Sequence, residues 1–471
     1  MHPMVWKILS GALLVCVLVQ QFGRSESAWR RPLFKSEVDD LSLQAECQNS
    51  PTGPPASTVS KWSYEWERDG NSHGLNTEQC NSAFPELFRE VERATEYWKD
   101  RGVSESDIEL FGGNHGGLRV LIHDQQVRVI RTRGLYRDDF RHRINAVLQQ
   151  IQRAMTAAEW ANEPFPDMEF SVVVDDIAIL PKDKLSALWA FTRSYGKTAH
   201  DSLFVIPDFH FYAAPPEAEG YPAQQAKARK HDSPIEQKIP QVVWRGVEWT
   251  NRDIRRPLLE VTNGQPWADV VSMDWNDRKS VMSMEDFCKY RFAVNTEGRA
   301  WSARLTHLLN CDGVVLVHDV EWIAHYYHLL DTEIDSAEGA NCIHVERDFS
   351  NLKAKVEYYN NHTDEAQEIA TRARKMFRER YTSPAATSCY WRNLMRAWSS
   401  IAFEPAIMEK MKGGKEKMRG ISFEEFSLHI NNVDYPYQKE KRRADIGRLK
   451  TKAEQSLNKP ELSTETGHTE V

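Results

Sequence analysis

The chain of 471 residues has little cysteine, no excess of charge of either sign and only one long hydrophobic run. Its 60 Lys and Arg residues face 68 Asp and Glu residues, so the net charge is −8, whereas broad nucleic-acid binding usually shows a basic bias. With 41% apolar residues, the composition excludes a fully disordered, a collagen-like or a polytopic membrane protein. These absences indicate a globular chain of about two to four domains.

The seven cysteines contain no Cys-x-x-Cys pair, which argues against a zinc ribbon and a thioredoxin motif. Cys16 lies in the hydrophobic run. The other six are Cys47, Cys80, Cys288, Cys311, Cys342 and Cys389. Because their number is even, they favour disulfides in an oxidising compartment. One glycosylation acceptor, Asn361-His362-Thr363, agrees with a lumenal location.

The N-terminal segment has the pattern of a secretory-pathway signal. An uncharged run extends from Ile8 to Phe22, and Arg24, Arg30 and Arg31 follow it. The run is close to the lower limit of roughly 17 residues for a membrane-spanning helix. We expect an uncleaved signal anchor. A cleaved signal peptide remains the alternative, since Ser25 and Ser27 have the spacing of a cleavage site before Ala28.

Hydrophobic periodicity predicts the elements that follow a Pro- and Ser-rich stem. Helical spacing is found at Phe84–Trp98 and Leu135–Trp160, and GGLRVLIHDQQVRVI reads as a β-hairpin between them. Strand-like runs then occur at Phe170–Val174, Leu203–Ile206, Gln241–Trp244, Arg291–Asn295 and Val314–His318. Because helical stretches separate several of these runs, the pattern predicts an α/β architecture with parallel sheets.

Polar groups follow three of the predicted strands, where ligands bind in open α/β sheets. The groups are Asp175 and Asp176, Arg245 and Gly246, and a third set of Glu297, Gly298, Ser302 and Arg304 at the start of a helix. Two arginines and a helix start would form a clamp for a diphosphate. Each signal also has an ordinary structural interpretation: an ion pair for an arginine, a helix cap for Ser302 and a turn for Asp176.

The order of these motifs resembles glycosyltransferase family 90, which includes fungal capsule-associated glycosyltransferases and Rumi-type protein O-glucosyltransferases. The similar segment is CKYRFAVNTEGRAWSARLTHLLNCDGVVLVHDVEWIAHYYHLL, which begins at Cys288. It contains Glu297-Gly298, the WSARL motif from Trp301 and Glu321-Trp322. Further matches are PDMEFSVVVDD, VVWRG and SCYWRNL, so the resemblance extends from about Trp62 to Trp398.

The resemblance implies a GT-B fold, in which two Rossmann-like domains face each other across a cleft. It implies inverting transfer of a sugar, with xylose or glucose favoured, from a UDP-sugar to a glycan or protein hydroxyl, without a metal or another cofactor. Asp176 would be the base that takes the acceptor proton, a contribution of about 10²–10⁴-fold. The donor-binding positions would be Arg245, Gly246, Ser302, Ala303 and Arg304. Glu297 departs from the aspartate that fungal relatives usually have.

Other functions remain open beside this one. The chain contains no strict Asp-x-Asp triplet of the kind that metal-dependent transferases use, which supports metal independence. A glycoside hydrolase needs two carboxylates across the sugar, and the adjacent Asp175 and Asp176 should diverge on an extended segment. A catalytically inactive lectin-like or scaffold protein of the same fold is the stronger alternative.

The expected organisation has five parts. They are a cytosolic tip and signal anchor (1–31), a stem (32–61), an N-terminal acceptor-side Rossmann-like domain (62–225), a C-terminal UDP-sugar-binding domain with terminal helices (226–407) and a charged, largely disordered tail (408–471). We expect a single-pass type II Golgi membrane protein with a lumenal catalytic domain, and the endoplasmic reticulum or secretion as alternatives.

Two disulfides are also expected. Cys288 precedes a strand and Cys311 ends the helix that returns beside it, which can place their Cα atoms within the roughly 4.4–6.8 Å that a disulfide needs. Rumi-type relatives have cysteines at the same motif positions. We expect a second, longer-range bridge between Cys80 and Cys389. Cys47 and Cys342 have no assigned partner.

Overall fold

The computed structural model describes residues 62–430, apart from 215–218, 275–276, 278–279 and 337–338. The described residues belong to one compact unit. The predicted signal anchor, the stem and Cys47 lie outside the described residues. Within the described ranges, no helix combines the length and the apolar character needed to cross a membrane.

The described elements alternate between strands and helices over most of their length. The strands are β1 (Gly117–His123), β2 (Gln126–Arg133), β3 (Met168–Val173), β4 (Trp189–Ala190), β5 (Arg193–Ser194), β6 (Phe204–Val205), β7 (Ala213–Ala214), β8 (Glu219–Gly220), β9 (Ile239–Gly246), β10 (Ala268–Ser272), β11 (Tyr290–Val294), β12 (Val314–Val317), β13 (Trp322–Ile323), β14 (Ile343–His344), β15 (Met408–Lys410), β16 (Glu416–Met418) and β17 (Ile421–Ser422). The helices are α1 (Trp66–Asp69), α2 (Thr77–Ala83), α3 (Arg89–Trp98), α4 (Asp138–Trp160), α5 (Tyr221–Arg229), α6 (Arg252–Thr262), α7 (Arg304–Leu308), α8 (Leu352–Asn361), α9 (Thr363–Met376), α10 (Pro384–Ser399) and α11 (Phe423–His429).

The first sheet has the order β17-β2-β1-β3-β4-β6 and is mixed. The predicted hairpin is confirmed, since β1 and β2 are antiparallel and Asp124 and Gln125 form the turn with φ of 48° and 58°. Two residues with positive φ produce the right-handed twist that a two-residue hairpin loop needs. β1 is antiparallel to β3, whereas β3, β4 and β6 are parallel. Only half of this sheet therefore fits the predicted parallel arrangement.

Helix α4 covers the first sheet along a continuous apolar face. It confirms the predicted helix at 135–160, and its buried residues include Ile144, Val147, Leu148, Ile151, Ala154 and Met155. Their spacing of three and four residues places them on one side of the helix. This face and the apolar residues of β1, β2 and β3 belong to one core.

The second sheet, in the order β10-β9-β11-β12-β14, is parallel throughout. Its central strand β11 is buried from Phe292 to Val294, and helices α6, α8 and α9 contribute apolar residues to the same core. A strand buried on both faces has a continuous apolar sequence, which is why the strands at β9, β11 and β12 could be predicted. The alternating α/β pattern is thus confirmed most clearly here.

The C-terminal part of the described chain returns to the first sheet. Trp398 of α10 packs edge-on against Trp189 at 5.5 Å, and its Nε1 donates to the Glu169 carbonyl at 3.1 Å. Residues 408–430, assigned to a disordered tail in the sequence analysis, form β15, β16, β17 and α11. β17 pairs with β2. Residues 431–471 lie outside the described part.

Both predicted disulfides are confirmed. The Cα atoms of Cys288 and Cys311 are 4.8 Å apart, and those of Cys80 and Cys389 are 5.6 Å apart. The first bond links the start of β11 to the end of α7, and the second links α2 to α10. Cys342 is a buried free thiol, and burial raises its pKa to about 12.

Candidate functional site

Three loops follow β9, β11 and β12 at the carboxyl edge of the parallel sheet, and two charged side chains hold them together. Arg255 Nε donates to the Glu297 carbonyl at 3.0 Å, and its Nη1 donates to the Val247 carbonyl at 2.7 Å. The Glu297 carboxylate accepts the backbone N–H groups of Glu321 and Trp322, both at 2.8 Å. Burial raises the pKa of Glu297, although these two hydrogen bonds oppose that shift.

Arg304 and Arg255 lie beside each other without a counter-charge. Their guanidinium carbons are 5.9 and 5.7 Å from the ring of Trp244. Among the described residues, neither arginine has a carboxylate partner, and Arg304 Nη1 is buried without a hydrogen-bond acceptor. Burial lowers the pKa of Arg255 to about 10, and burial together with the neighbouring Arg255 lowers the pKa of Arg304 to about 9. Two unneutralised cations at the end of a parallel sheet suit an anionic ligand.

Arg245, in contrast, is already paired. Its Nη2 donates to Asp269 Oδ1 at 2.7 Å, and its Nη1 donates to the carbonyls of Asp269 at 2.7 Å and Trp244 at 2.9 Å. The guanidinium is therefore directed towards the edge strand β10. Gly246 is required for space, since a Cβ there would lie 2.6 Å from the Trp244 ring. The donor role of Arg245 and Gly246 stays a prediction.

Ser302 and Ala303 precede helix α7, which begins at Arg304 rather than at Ser302. Ala303 occupies the cap position with no side-chain hydrogen bond, so Ser302 does not act as the helix cap that the ordinary interpretation required. Ser302 is buried, and its carbonyl accepts the Leu305 N–H at 3.0 Å. The loop brings both residues directly before Arg304, but their donor contacts stay predictions.

Asp176 lies beyond β3 of the first sheet and is held by Arg143 of α4. Arg143 Nη1 donates to Asp176 Oδ1 at 2.8 Å and to the Val174 carbonyl at 3.0 Å. The neighbouring Asp175 behaves differently, because its Oδ1 accepts the backbone N–H of Asp176 at 3.0 Å. The two carboxylates thus make different contacts. Only the Asp176 side chain accepts a hydrogen bond from a residue of helix α4 among the contacts described.

The segment after β12 contacts the segment that connects β4 and β6 of the first sheet. β13 pairs antiparallel with β5, and Ser194 Oγ donates to Glu321 Oε1 at 3.0 Å. A cleft of about 590 Å³ opens beside this junction. Its lining includes Ile177, Lys197, Trp249, Arg252, Gly298 and Arg347. Ile177, the residue after Asp176 in the chain, lies at one wall of the cleft, and the Glu297–Gly298 loop lies at another.

A buried polar cluster surrounds Asp208. Trp301 Nε1 donates to Asp208 Oδ2 at 3.3 Å, and His210 contacts Asp208 Oδ1 through its Nδ1 at 3.0 Å. Burial acts to raise the pKa of Asp208, but the contacts with His210 outweigh it and the pKa is lowered. Burial lowers the pKa of His307 and of His325 to about 3, so both are neutral at pH 7. The cluster fixes Trp301, and through it the loop before Arg304.

Sequence patterns do not single out Arg255, Arg143 or Asp208 as site residues. The segment NRDIRRPLLE offers three arginines in five positions, and only Arg255 is buried beneath the loops. Its position one residue after the apolar Ile254 was the available signal. Arg143 and Asp208 act through contacts that join distant segments, which periodicity does not show. Across the described ranges, no three His, Cys, Asp or Glu side chains are grouped as a metal site.

The architecture is that of an α/β protein with a cleft beside the carboxyl edge of a parallel sheet. The sequence model of the family described as glycosyl transferase family 90 matches residues 77–422, which is well over half of the chain. The chain therefore belongs to glycosyl transferase family 90, a family of glycosyltransferases.

Curated relatives agree with this assignment. The chain is 24% identical over 365 residues to protein O-glucosyltransferase 2 of Danio rerio, which covers 74% of this chain and 66% of the relative. It is 24% identical over 263 residues to an O-glucosyltransferase rumi homolog of Aedes aegypti, which covers 50% of this chain and 62% of the relative. Against protein O-glucosyltransferase 3 of Homo sapiens it is 25% identical over 136 residues. The chain thus spans less than two thirds of these relatives' own length.

Proposed function

We propose that the protein is an inverting, metal-independent glycosyltransferase of GT-B type that moves glucose or xylose from a UDP-sugar to a protein hydroxyl. The observation that carries the proposal is the pair of unneutralised arginines, Arg255 and Arg304, at the carboxyl edge of the parallel sheet. The names of the relatives favour glucose and a protein acceptor. In this arrangement the first sheet belongs to the acceptor side and the second sheet to the donor side.

The proposed residue roles follow from the charges. Arg304 and Arg255 bind the diphosphate and stabilise the negative charge that grows on UDP as it leaves. Ser302, Ala303 and Gly246 supply backbone close to the donor. Arg245 would have to release Asp269 before it could reach a phosphate, so we give it a lesser part in donor binding. Asp176 accepts the proton of the acceptor hydroxyl.

The cellular setting is part of the same proposal. Two disulfides within the described residues fit an oxidising compartment. Together with the hydrophobic run at Ile8–Phe22, they support a type II membrane protein of the Golgi with a lumenal catalytic domain. Membrane extraction and protease protection of the full chain would test the topology: an intact, detergent-released product is expected.

The release of UDP from UDP-glucose and UDP-xylose tests the proposed chemistry. We expect Asp176→Asn to abolish turnover while leaving UDP binding nearly unchanged, because the base is removed and the arginines remain. Asp175→Asn is the matched control, since that carboxylate contacts only the neighbouring backbone N–H among the hydrogen bonds described. UDP-sugar binding without turnover by the unchanged protein would instead support the inactive lectin-like alternative.

A further inference from the structure

Asp176 has two carboxylate oxygens in different surroundings. Oδ1 accepts a hydrogen bond from Arg143 at 2.8 Å, whereas Oδ2 has no protein hydrogen-bond partner among the described residues. The side chain of Asp176 is 28% exposed, so the carboxylate is partly accessible to a ligand. A base needs one oxygen that is free to receive a proton and a fixed direction for that oxygen.

Arg143 is itself anchored at several points. The same Nη1 atom donates to the Val174 carbonyl at 3.0 Å, and the guanidinium carbon lies 4.7 Å above the ring of Phe209. The side chain of Arg143 is only 17% exposed. The other carboxylate close to Arg143 on its own helix, Asp139, accepts from Arg137 Nε at 3.0 Å. Asp176 is therefore the carboxylate to which Arg143 donates.

We propose that Arg143 is a positioning residue for the proposed base: it holds Asp176 Oδ1 so that Oδ2 is the atom that takes the acceptor proton. The inference rests on the proposed function. In the step, the acceptor oxygen forms a bond to the anomeric carbon while its proton passes to Oδ2. The bond from that carbon to the β-phosphate oxygen breaks, and its electron pair leaves with UDP.

The geometry explains why an arginine, and not a neutral donor, occupies this place. A charge-assisted hydrogen bond keeps the carboxylate oriented at a partly exposed site better than a neutral bond does. The contact with the Phe209 ring limits the motion of the guanidinium. Loss of Arg143 would let the carboxylate rotate, and small errors in the placement of reacting groups can cost up to about 100-fold in rate.

The test measures UDP release from UDP-glucose by the full chain, together with the affinity for UDP and the thermal midpoint. We expect Arg143→Gln to lower kcat by roughly 10- to 100-fold while KM for UDP-glucose and the UDP affinity change by less than about twofold. Arg143→Lys should recover part of kcat, because one ammonium can still donate to Oδ1. A structural role alone would not give this separation of kcat from KM.

A matched control lies on the same helix. Arg153 places its guanidinium carbon 4.6 Å above the ring of Tyr212, and among the described residues it has no carboxylate partner. Arg153→Gln removes a comparable cation–ring contact without touching Asp176, so kcat should stay unchanged. An equal fall in kcat for Arg143→Gln and Arg153→Gln would overturn the inference, as would an unchanged kcat for Arg143→Gln.

A double variant separates this inference from the proposed function. In the Asp176→Asn background, Arg143→Gln should cause no further loss of the residual rate, because its effect passes through that carboxylate. A further loss would overturn the positioning role. If Asp176→Asn keeps the rate of the unchanged protein, the base assignment within the proposed function fails. If the unchanged protein releases no UDP, the proposed function and this inference are both overturned.

Discussion

At the scale of single residues, the charge of Arg304 is the feature that most needs a ligand. Within the described chain, this guanidinium has no carboxylate partner, and one of its buried nitrogens has no acceptor. Burying an unpaired cation costs free energy, and burial lowers the pKa of Arg304 to about 9. Such perturbed groups concentrate at functional sites, where a ligand supplies the missing charge.

Arg304→Gln should separate stability from binding. We expect the ligand-free variant to unfold at the same temperature as the unchanged protein or about 1–3 °C higher, because an uncompensated charge is removed. The affinity for UDP should fall by about 10-fold or more, as for the loss of a charge-assisted hydrogen bond. Thermal unfolding and UDP titration calorimetry measure the two effects.

The neighbouring Arg256 supplies the control for that experiment. It is exposed and pairs with Glu248 at 2.9 Å, so its guanidinium lies in solvent and not beneath the loops as that of Arg255 does. Arg256→Gln should leave both the UDP affinity and the thermal midpoint nearly unchanged. An unchanged UDP affinity in Arg304→Gln would show that the diphosphate does not bind at this arginine.

Glu297 predicts a pH effect on stability. Burial raises the pKa of its carboxyl above the ordinary value of 4.5, so between 4.5 and the higher native value the folded protein binds more protons than the unfolded chain. The contribution of Glu297 to the free energy of unfolding therefore falls as the pH rises through that interval. Glutamine does not titrate. The thermal midpoint of Glu297→Gln, relative to the unchanged protein, should be higher at pH 7 than at pH 4.

The exposed Glu333 gives a reference for this comparison. Glu333→Gln makes the same chemical change at a side chain in solvent, and its thermal midpoint is measured at the same two pH values. A relative midpoint for Glu297→Gln that stays constant between pH 4 and pH 7 would contradict the raised pKa.

The residues that the sequence could predict are those that directly follow a buried strand. The sequence predicts Asp176 and Gly246 because each comes shortly after an apolar run. It predicts Arg304 because the WSARL motif contains it. The pairing of Arg245 with Asp269 spans 24 residues and depends on which strand is the neighbour of β9. Sequence periodicity predicts strands but not their order, so the partners of charged side chains remain hidden.

At the scale of elements, the strands that lie in apolar runs could be predicted in both sheets. β11 and β12 are buried on both faces and appear as continuous apolar runs. β4 has only two residues, too few to show a period, whereas the equally short β6 lies within the predicted run Leu203–Ile206. The strand β17 follows a polar, charged stretch, which made residues 408–430 look irregular. Its pairing with β2 depends on tertiary contacts.

The two disulfides should affect different properties. Cys288–Cys311 closes 23 residues around the loop before Arg304, so Cys288→Ser with Cys311→Ser should cost about 3 kcal/mol of stability and also weaken UDP binding. Cys80→Ser with Cys389→Ser opens a separation of 309 residues and should cost about 5 kcal/mol, with UDP affinity unchanged. Chemical unfolding and UDP titration distinguish them. Equal losses of UDP affinity in both pairs would contradict a local brace.

At the scale of the whole molecule, the C-terminal segment contacts the first sheet in two ways. It adds the strand β17 to the sheet, and its Arg419 pairs with a buried carboxylate of β3. Arg419 donates from Nη1 and Nη2 to the two oxygens of the fully buried Glu169, each at 2.8 Å. Arg119 of β1 also donates to Glu169, at 2.5 Å. Glu169 and Arg419 are 250 residues apart in sequence, so the buried carboxylate joins distant segments of the chain.

Arg419→Met should destabilise the protein by roughly 2–3 kcal/mol, somewhat less than the usual loss on breaking a buried pair, since Arg119 remains. Lys417→Met is the control, because Lys417 pairs with Glu409 at 2.8 Å on the same hairpin but in solvent. That exposed pair should contribute less than about 1 kcal/mol. Denaturant unfolding measures both values, and equal effects would contradict the importance of the buried carboxylate.

The bond between Cys80 and Cys389 also sets the timing of folding during synthesis. Cys80 leaves the ribosome long before its partner, which follows 309 residues later. At about 5–20 residues per second, the thiol waits roughly 15–60 s. Cys288 and Cys311 emerge within this interval and could capture it. Correct pairing therefore depends on the rapid closure of the Cys288–Cys311 loop, or on a disulfide isomerase that keeps Cys80 exchangeable until translation passes residue 389.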